Sequence, residues 1–267
     1  MNRLAVGGWR LAGVVKLGGS LLDDSARRSA ALQKIVARWN AGESLILVHG
    51  GGKHIDAALS RAGIPKRTHA GLRITDDATL PIVVSVLAGE VNKMLVSELT
   101  ALGIRAAGIS GCDGATLVAR QHPPIDGVEL GHVGQVTHSN RALITAMLTC
   151  GTLPVVSSLA IGEDGALYNV NADSAAAAIA VAHGASELLF LTDVEGLLDG
   201  EGSLVSHLNA DGIAAMLASP AVSGGMKPKL QASLEALRQG VAKITIGPPP
   251  TANRQPPTEG GTTLVAA

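Results

Sequence analysis

Lys16 lies near the end of the apolar run Val14-Val15-Lys16-Leu17, which leads directly into Gly18, Gly19 and Ser20. A lysine at the end of a buried strand is costly to desolvate unless an anion meets it. With an ordinary pKa of about 10.4 it is a fixed positive charge at neutral pH, suited to charge stabilisation rather than proton transfer. About thirty residues further on, Leu47-Val48-His49-Gly50-Gly51-Gly52 repeats the pattern of an apolar run ending in glycines. Each turn precedes a helix-like stretch. Glycine lets the backbone approach an anion closely, and the following helix turns its free N–H groups and positive dipole end toward the same place. The pair reads as a phosphate-handling arrangement with a lysine built in. Neither turn is a common nucleotide fingerprint. Lys53 is followed by His54, so the P-loop pattern is absent, and Ile55 stands where GxGxxG needs its last glycine.

Further candidates lie downstream. Asn169, Asn171 and Asp173 recur at period two before the alanine-rich stretch 174–182, on one side of an extended strand, and Asp173 alone also reads as an N-cap. Thr192-Asp193-Val194-Glu195-Gly196 ends an apolar run in a polar turn. Gly224-Gly225-Met226-Lys227-Pro228-Lys229 opens a helix, and two lysines two positions apart cannot share a helical face, so one of them is only solvated. Arg73, between Leu72 and Ile74, reads either as a surface arginine or as a fork for a substrate carboxylate. His49 can be a packing residue, and His132 and His138 lack metal-ligand spacing.

These residues need a scaffold, and the chain reads as alternating strands and helices. Strand-like runs at 13–17, 45–48, 105–110, 153–157, 187–191 and 243–246 are short and almost continuously apolar, as strands covered on both faces are. Leu32, Ile35, Val36 and Trp39 follow a helical period, as do Ile82, Val83, Val86, Leu87, Val91, Met94 and Leu95 with one turn skipped at Glu90. The alternation predicts an α/β fold, a three-layer αβα sandwich on a mainly parallel sheet, with ligands beyond the carboxyl ends of the strands. Small hairpins are expected around 71–75, 131–136 and 160–170, the last with the Asp164-Gly165 turn. Two lobes are expected, 1–160 and 161–267, and the proline-rich stretch 248–257 reads as a surface loop before a last segment, 262–265.

Composition narrows the function. Among 267 residues, 21 Lys and Arg stand against 22 Asp and Glu, a net charge of −1, so no basic face for nucleic acid is expected. The mean hydropathy is +0.31, yet no apolar stretch reads as long as the ~18 residues of a spanning helix, and no membrane partner is expected. Trp9, Trp39, Tyr168 and Phe190 are the aromatic residues, so an adenine ring would rest on aliphatic side chains. Cys112 and Cys150 are too few for a disulfide framework and fit a reducing cytoplasm. Residues 1–12 carry Arg3 and Arg10 but no secretion-type apolar core, and read as a short lead-in.

Taken together, these stretches, with Glu129-Leu130-Gly131-His132-Val133-Gly134 and Pro154-Val155-Val156-Ser157-Ser158, resemble the amino acid kinase family. The order of motifs is that of its branch acting on N-acetyl-L-glutamate. The resemblance implies ATP-dependent phosphorylation of that substrate's side-chain carboxylate, in arginine biosynthesis. By the same resemblance, Lys16 and Lys229 neutralise the transferring phosphoryl group and Asp173 orients them. Gly51, Gly52, Arg73 and Asn169 hold the amino acid, and Gly18, Gly19, Asp193, Gly196, Leu197 and Ser223 border the nucleotide. Mg–ATP is the expected substrate, with no tightly bound cofactor and no protein metal site. The first lobe would bind the amino acid and the second ATP, with a homodimer built across helix 76–100. Arginine inhibition is not expected, because Gly7, Gly8 and Gly13 disfavour the added N-terminal helix of inhibited relatives. The rival readings are a kinase for carrier-linked aminoadipate or glutamate of lysine biosynthesis and a non-catalytic sensing module.

Overall fold

A computed structural model describes residues 13–219, 222, 224–248 and 261–266. The readings made for residues 1–12, for 249–257 and for Ser223 lie outside the described residues. In chain order the strands are β1 (Gly13–Leu17), β2 (Leu45–His49), β3 (Thr68–His69), β4 (Leu72–Arg73), β5 (Ala106–Ser110), β6 (Leu117–Gln121), β7 (Val133–Ser139), β8 (Leu153–Ser157), β9 (Leu159–Ile161), β10 (Leu167–Val170), β11 (Glu187–Leu191), β12 (Leu197–Leu198), β13 (Leu204–Val205), β14 (His207–Leu208), β15 (Lys243–Gly247) and β16 (Thr262–Val265). The α-helices are α1 (Gly19–Asp23), α2 (Ser25–Asn40), α3 (Gly52–Arg61), α4 (Leu80–Val84), α5 (Asn92–Ala101), α6 (Ala142–Thr149), α7 (Ala172–His183), α8 (Ala210–Ala218) and α9 (Met226–Arg238).

All six apolar runs become strands of one sheet, in the order β14, β16, β15, β11, β1, β2, β8, β5. Neighbours from β5 to β15 are parallel, and β16 closes antiparallel on β15. The sheet runs continuously across the expected lobe boundary at 160/161. β1 lies mid-sheet between β2 and β11, so Lys16 emerges where the chain's crossovers diverge, the usual ligand crevice of such folds. β1 and β2 are buried at every residue. α7 packs on β1, β2 and β11 and against α9, while α5 packs on β5 and β8 and against α2. β6, β7, β9 and β10 close into a small separate barrel, and β3 and β4 form a hairpin. The hairpins expected around 71–75 and 160–170 are β3–β4 and β9–β10, whereas 131–136 belongs to the single strand β7, which pairs antiparallel with β6 and parallel with β10. The fold is the expected mixed α/β arrangement with a mainly parallel central sheet.

The helix expected at 76–100 corrects two readings. It begins at Leu80, and between α4 and α5 residues Ser85–Val91 are π-helical. Leu80–Ala101 is therefore one 22-residue helical span whose most apolar 18-residue stretch has a mean hydropathy of 1.5, long and apolar enough to cross a membrane by length and composition. Glu90, Lys93 and Glu98 hide it from a search for unbroken apolar runs. The helix is a core element here: Val83, Val86, Leu87, Val91 and Leu95 are buried within the chain, and Glu98 pairs with Arg28 of α2 at 2.7 Å. Those five residues are thus covered by the rest of the chain, while Ile82, Val84, Ala88 and Met94 stay half-buried.

Candidate active site

The first turn of α7 gathers the charges. Asn171 caps this helix, its side-chain oxygen accepting from the N–H groups of Asp173 at 2.8 Å and Ser174 at 3.1 Å. Asp173 is therefore not the cap. The period-two pattern of Asn169, Asn171 and Asp173 breaks because β10 ends at Val170 and helical geometry begins at Ala172. A cap of this kind contributes about 1 kcal/mol and leaves Asp173 free to face β1. Lys16 Nζ lies 2.7 Å from Asp173 Oδ1, and Lys229 Nζ lies 3.1 Å from both carboxylate oxygens. All three residues are only 6–8% exposed. Burial works to raise the Asp173 pKa, but the two ammonium groups outweigh it and hold the carboxyl below its usual range. Burial and the neighbouring Lys16 charge pull Lys229 below the usual lysine value, against the attraction of Asp173. With both lysines protonated the cluster carries one net positive charge, and a buried excess charge favours an anionic partner. Lys227 is exposed, so Lys229 is the lysine that α9 turns inward.

The second glycine turn abuts this cluster. A Cβ at Gly50 would lie 3.2 Å from the Ala172 Cβ at the start of α7. Gly51 precedes α3, whose first intrahelical bond runs from Ile55 N–H to Gly51 O, so the Gly52, Lys53 and His54 N–H groups have no acceptor within the helix. Arg73 reaches this turn from β4. Its Nη2 donates to Gly52 O at 3.1 Å and to the Asp56 carboxylate, while its Nη1 is buried without a partner among the described residues. An unmet buried donor costs about 1–3 kcal/mol, a cost that an arriving carboxylate oxygen would remove. Asn169 Nδ2 donates to Thr75 Oγ1 at 3.1 Å, and that hydroxyl donates to Arg73 O at 2.9 Å, joining β10 to the hairpin.

On the other side of β1, Gly18 N–H donates to Leu191 O at 2.8 Å, and a Cβ at Gly18 would meet the same oxygen at 2.8 Å. Only glycine fits there. Gly19 opens α1 into free space. Ser20 hydrogen-bonds the Asp193 carboxylate, which lowers the Asp193 pKa and ties α1 to the loop after β11. Gly196 has φ +146°, and a Cβ on it would come within 2.7 Å of the Leu204 and Thr262 side chains. Leu197 is turned into the core, 2% exposed, with its N–H donating to Thr262 Oγ1 at 2.7 Å. Val194, Leu198 and Leu204 are the exposed aliphatic residues of this region. Among the described residues, no group of three or more His, Cys, Asp or Glu is placed to hold a metal ion.

The sequence reading missed Asp56 as the partner of Arg73, Asn171 as the helix cap, and Asn92, which sits fully buried beneath the glycine turn. His49 is more than a packing residue: it is fully buried, with both ring nitrogens hydrogen-bonded. Burial pushes its pKa down from 6.5 to about 4, with the Lys93 and His54 charges adding to the effect. The folded state therefore excludes a proton that the unfolded chain takes up. The resulting stability is complete above about pH 6.5 and is lost as the pH falls toward 4, by about 3 kcal/mol from this ring. His183, also lowered to about 4 by burial, acts in the same window. Asp173 and Asp56 titrate below the usual carboxylate value and do not contribute there. Urea midpoints should fall steeply between pH 6.5 and 4.5. A flat profile over that range would contradict the neutral, buried His49.

A profile of the Amino acid kinase family matches residues 13–248. The chain is 44% identical over 240 residues to the acetylglutamate kinase of Streptomyces avermitilis, covering 87% of this chain and 78% of that one. It is 39% identical over 251 residues to the acetylglutamate kinase of Geobacillus thermodenitrificans, covering 94% and 95%. Among solved structures, smu.665 from Streptococcus mutans superposes with a TM-score of 0.82 at 27% identity, over 96% of this chain and 99% of that one. The chain belongs to the amino acid kinase family. As a member of it the chain is a phosphotransferase, with ATP as the phosphoryl donor.

Proposed function

We propose that this protein transfers the γ-phosphoryl group of ATP to the side-chain carboxylate of N-acetyl-L-glutamate, the reaction of an acetylglutamate kinase in arginine biosynthesis. The observation that carries this reading is the pair of buried ammonium groups held by one carboxylate beside a glycine turn, in a chain 39–44% identical to acetylglutamate kinases. The nucleophilic carboxylate is already ionised, so no general base is required. One carboxylate oxygen bonds to the γ-phosphorus as the bond to the β–γ bridging oxygen breaks, giving an acyl phosphate and ADP. Catalysis is then alignment and charge neutralisation.

In this scheme Lys16 and Lys229 meet the charge on the transferring group, and Asp173 holds them. The Gly51 and Gly52 N–H groups receive the reacting oxygens, Arg73 grips the α-carboxylate, and Asn169 contacts the amino acid. Gly18, Gly19, Asp193, Gly196 and Ser223 border the nucleotide, with Leu197 packed in the core behind Gly196, so that residues 1–160 serve the amino acid and 161–267 serve ATP. Mg²⁺ enters as Mg–ATP: both oxygens of Asp173 are engaged by lysines, and such an ion is usually held by phosphates, waters and one or two carboxylates. No tightly bound cofactor is needed, and the free Cys112 and Cys150 suit a reducing cytoplasm.

Arg73→Lys tests the first lobe. Lysine keeps the charge but loses the planar two-point grip. The KM for N-acetyl-L-glutamate should rise about 10-fold or more, the loss of roughly one charge-assisted hydrogen bond, with the KM for ATP unchanged. Weakened ATP binding with an unchanged amino-acid KM would overturn the assignment. The subunits pair through the helix 80–101, using the half-buried Ile82, Val84, Ala88 and Met94. Light scattering on the gel-filtration peak should give about twice the chain mass of 26.9 kDa, and a monomeric mass would remove the pairing.

A further inference from the structure

We propose that His49 and Asn92 form a buried brace that fixes the Gly50–Gly51 peptide and so aims the Gly51 N–H at the reacting oxygens. This rests on the role proposed for Gly51. Neither side chain touches substrate in this scheme; both are positioning residues.

The hydrogen-bond partners determine the brace. His49 Nδ1 lies 2.9 Å from Gly50 O, and a carbonyl oxygen only accepts, so Nδ1 carries the ring proton. Nε2 is then an acceptor, 3.0 Å from Asn92 Nδ2, which donates to it. Asn92 is itself held. Its second Nδ2 hydrogen is shared between Val155 O at 3.0 Å and Ile109 O at 3.3 Å, and its Oδ1 accepts from Lys93 Nζ at 2.9 Å. Acceptor-only carbonyls on one side and an ammonium on the other orient the amide without ambiguity. One asparagine thus ties the end of β2 to β5 and β8.

The helix is built to deliver this residue. Asn92 is the first residue after the π-helical stretch Ser85–Val91, an irregularity that shifts helical phase and is frequent at functional sites. Opposite it, Gly108 leaves room that a Cβ would remove, since that atom would sit 1.8 Å from Asn92 Oδ1. The same stretch confines the turn from above, for a Cβ at Gly51 would lie 3.0 Å from Leu87 and 3.3 Å from Val91. A peptide unit is planar and trans, so the Gly50 carbonyl and the Gly51 N–H point in opposite directions. Tying the carbonyl back to the His49 ring holds the N–H outward. Three successive glycines would otherwise let this peptide rotate at little cost.

The test separates the brace from the substrate reading. Long-range ¹H–¹⁵N correlation spectra of the histidine rings, recorded without substrate, should show His49 as the Nδ1–H tautomer; an Nε2–H ring overturns the brace whatever the protein phosphorylates. Steady-state kinetics with Mg–ATP and N-acetyl-L-glutamate then compare two variants. His49→Asn keeps an amide donor near the Nδ1 position, whereas His49→Gln places its amide toward Asn92 and loses the bond to Gly50. His49→Gln should lower kcat about 10- to 100-fold with both KM values within twofold, and His49→Asn should recover most of that loss. Equal losses in the two variants, or a rise in KM at constant kcat, would make His49 a packing residue only. Gly108→Ala displaces Asn92 while leaving His49 and the glycine turn unchanged in sequence. It should reproduce the kcat-selective loss in folded protein, and wild-type kcat would contradict the brace. A wild-type protein inactive on N-acetyl-L-glutamate but carrying the Nδ1–H ring would sink the substrate reading and leave the brace standing.

Discussion

Replacing Lys229 with alanine should lower kcat about 10²–10³-fold while moving the KM values for ATP and N-acetyl-L-glutamate only a few-fold, and Lys227→Ala should leave turnover near wild type. Lys229 is buried on Asp173, whereas Lys227, two residues earlier on the same helix, is exposed. In the proposed scheme the ammonium of Lys229 is needed most while the phosphoryl group is between oxygens, so its loss would fall on the transition state rather than on binding. Lys16→Ala should behave alike, since Lys16 meets the same carboxylate from β1 at 2.7 Å. Near-normal turnover of Lys229→Ala would mean that the cluster is structural and that the chemistry lies elsewhere.

Asp173→Asn should cost about 3–5 kcal/mol of stability, because it leaves two buried ammonium groups without their counter-charge. The sign with pH follows from the lowered Asp173 pKa. Its contribution is present above the ordinary carboxylate value near 3.9 and is lost only as the pH falls through the lower folded value, so the wild-type advantage over the variant persists down to about pH 4. Excess ATP should raise the melting temperature of Asp173→Asn more than that of wild type, since phosphate oxygens can take the place of the missing carboxylate. Equal stability of the two proteins at pH 7 would show that the lysines need no buried partner.

The fold was readable because its sheet is covered on both faces. Each of the six main strands is a continuous apolar run ended by a glycine, a proline or a polar turn, and β1, β2 and β8 are buried along their whole length. Lys16 was legible as a charge in the interior of such a run, whereas Glu187 and Lys243 stand at the starts of theirs. The choice between Lys227 and Lys229 was open, because Lys229 is in helical phase with the buried Ser233, Ala236 and Leu237 and Lys227 with the buried Leu230 and Leu234; only the fold turns Lys229 inward and leaves Lys227 exposed. Asn171 and Asp173 are both good caps, and only the start of α7 at Ala172 separates them. The skipped turn at Glu90 was the mark of the π-helical stretch, but a change of phase does not say which residue it turns inward. Asn92 shares the phase of the buried Leu95 and Leu99, and that was the available signal. The Arg73–Asp56 pair joins a hairpin to a helix across 17 residues, a contact that only the tertiary fold creates.

The central claim is tested most directly by product formation. Purified protein with Mg–ATP and N-acetyl-L-glutamate is followed for ADP release, and the acyl phosphate is trapped with hydroxylamine as the hydroxamate. L-Glutamate, L-aspartate and free 2-aminoadipate run in parallel. ADP and hydroxamate should appear in equal amounts with N-acetyl-L-glutamate and stay at background with the other three. No hydroxamate from N-acetyl-L-glutamate, or a faster reaction with free glutamate or aminoadipate, would contradict the proposed reaction.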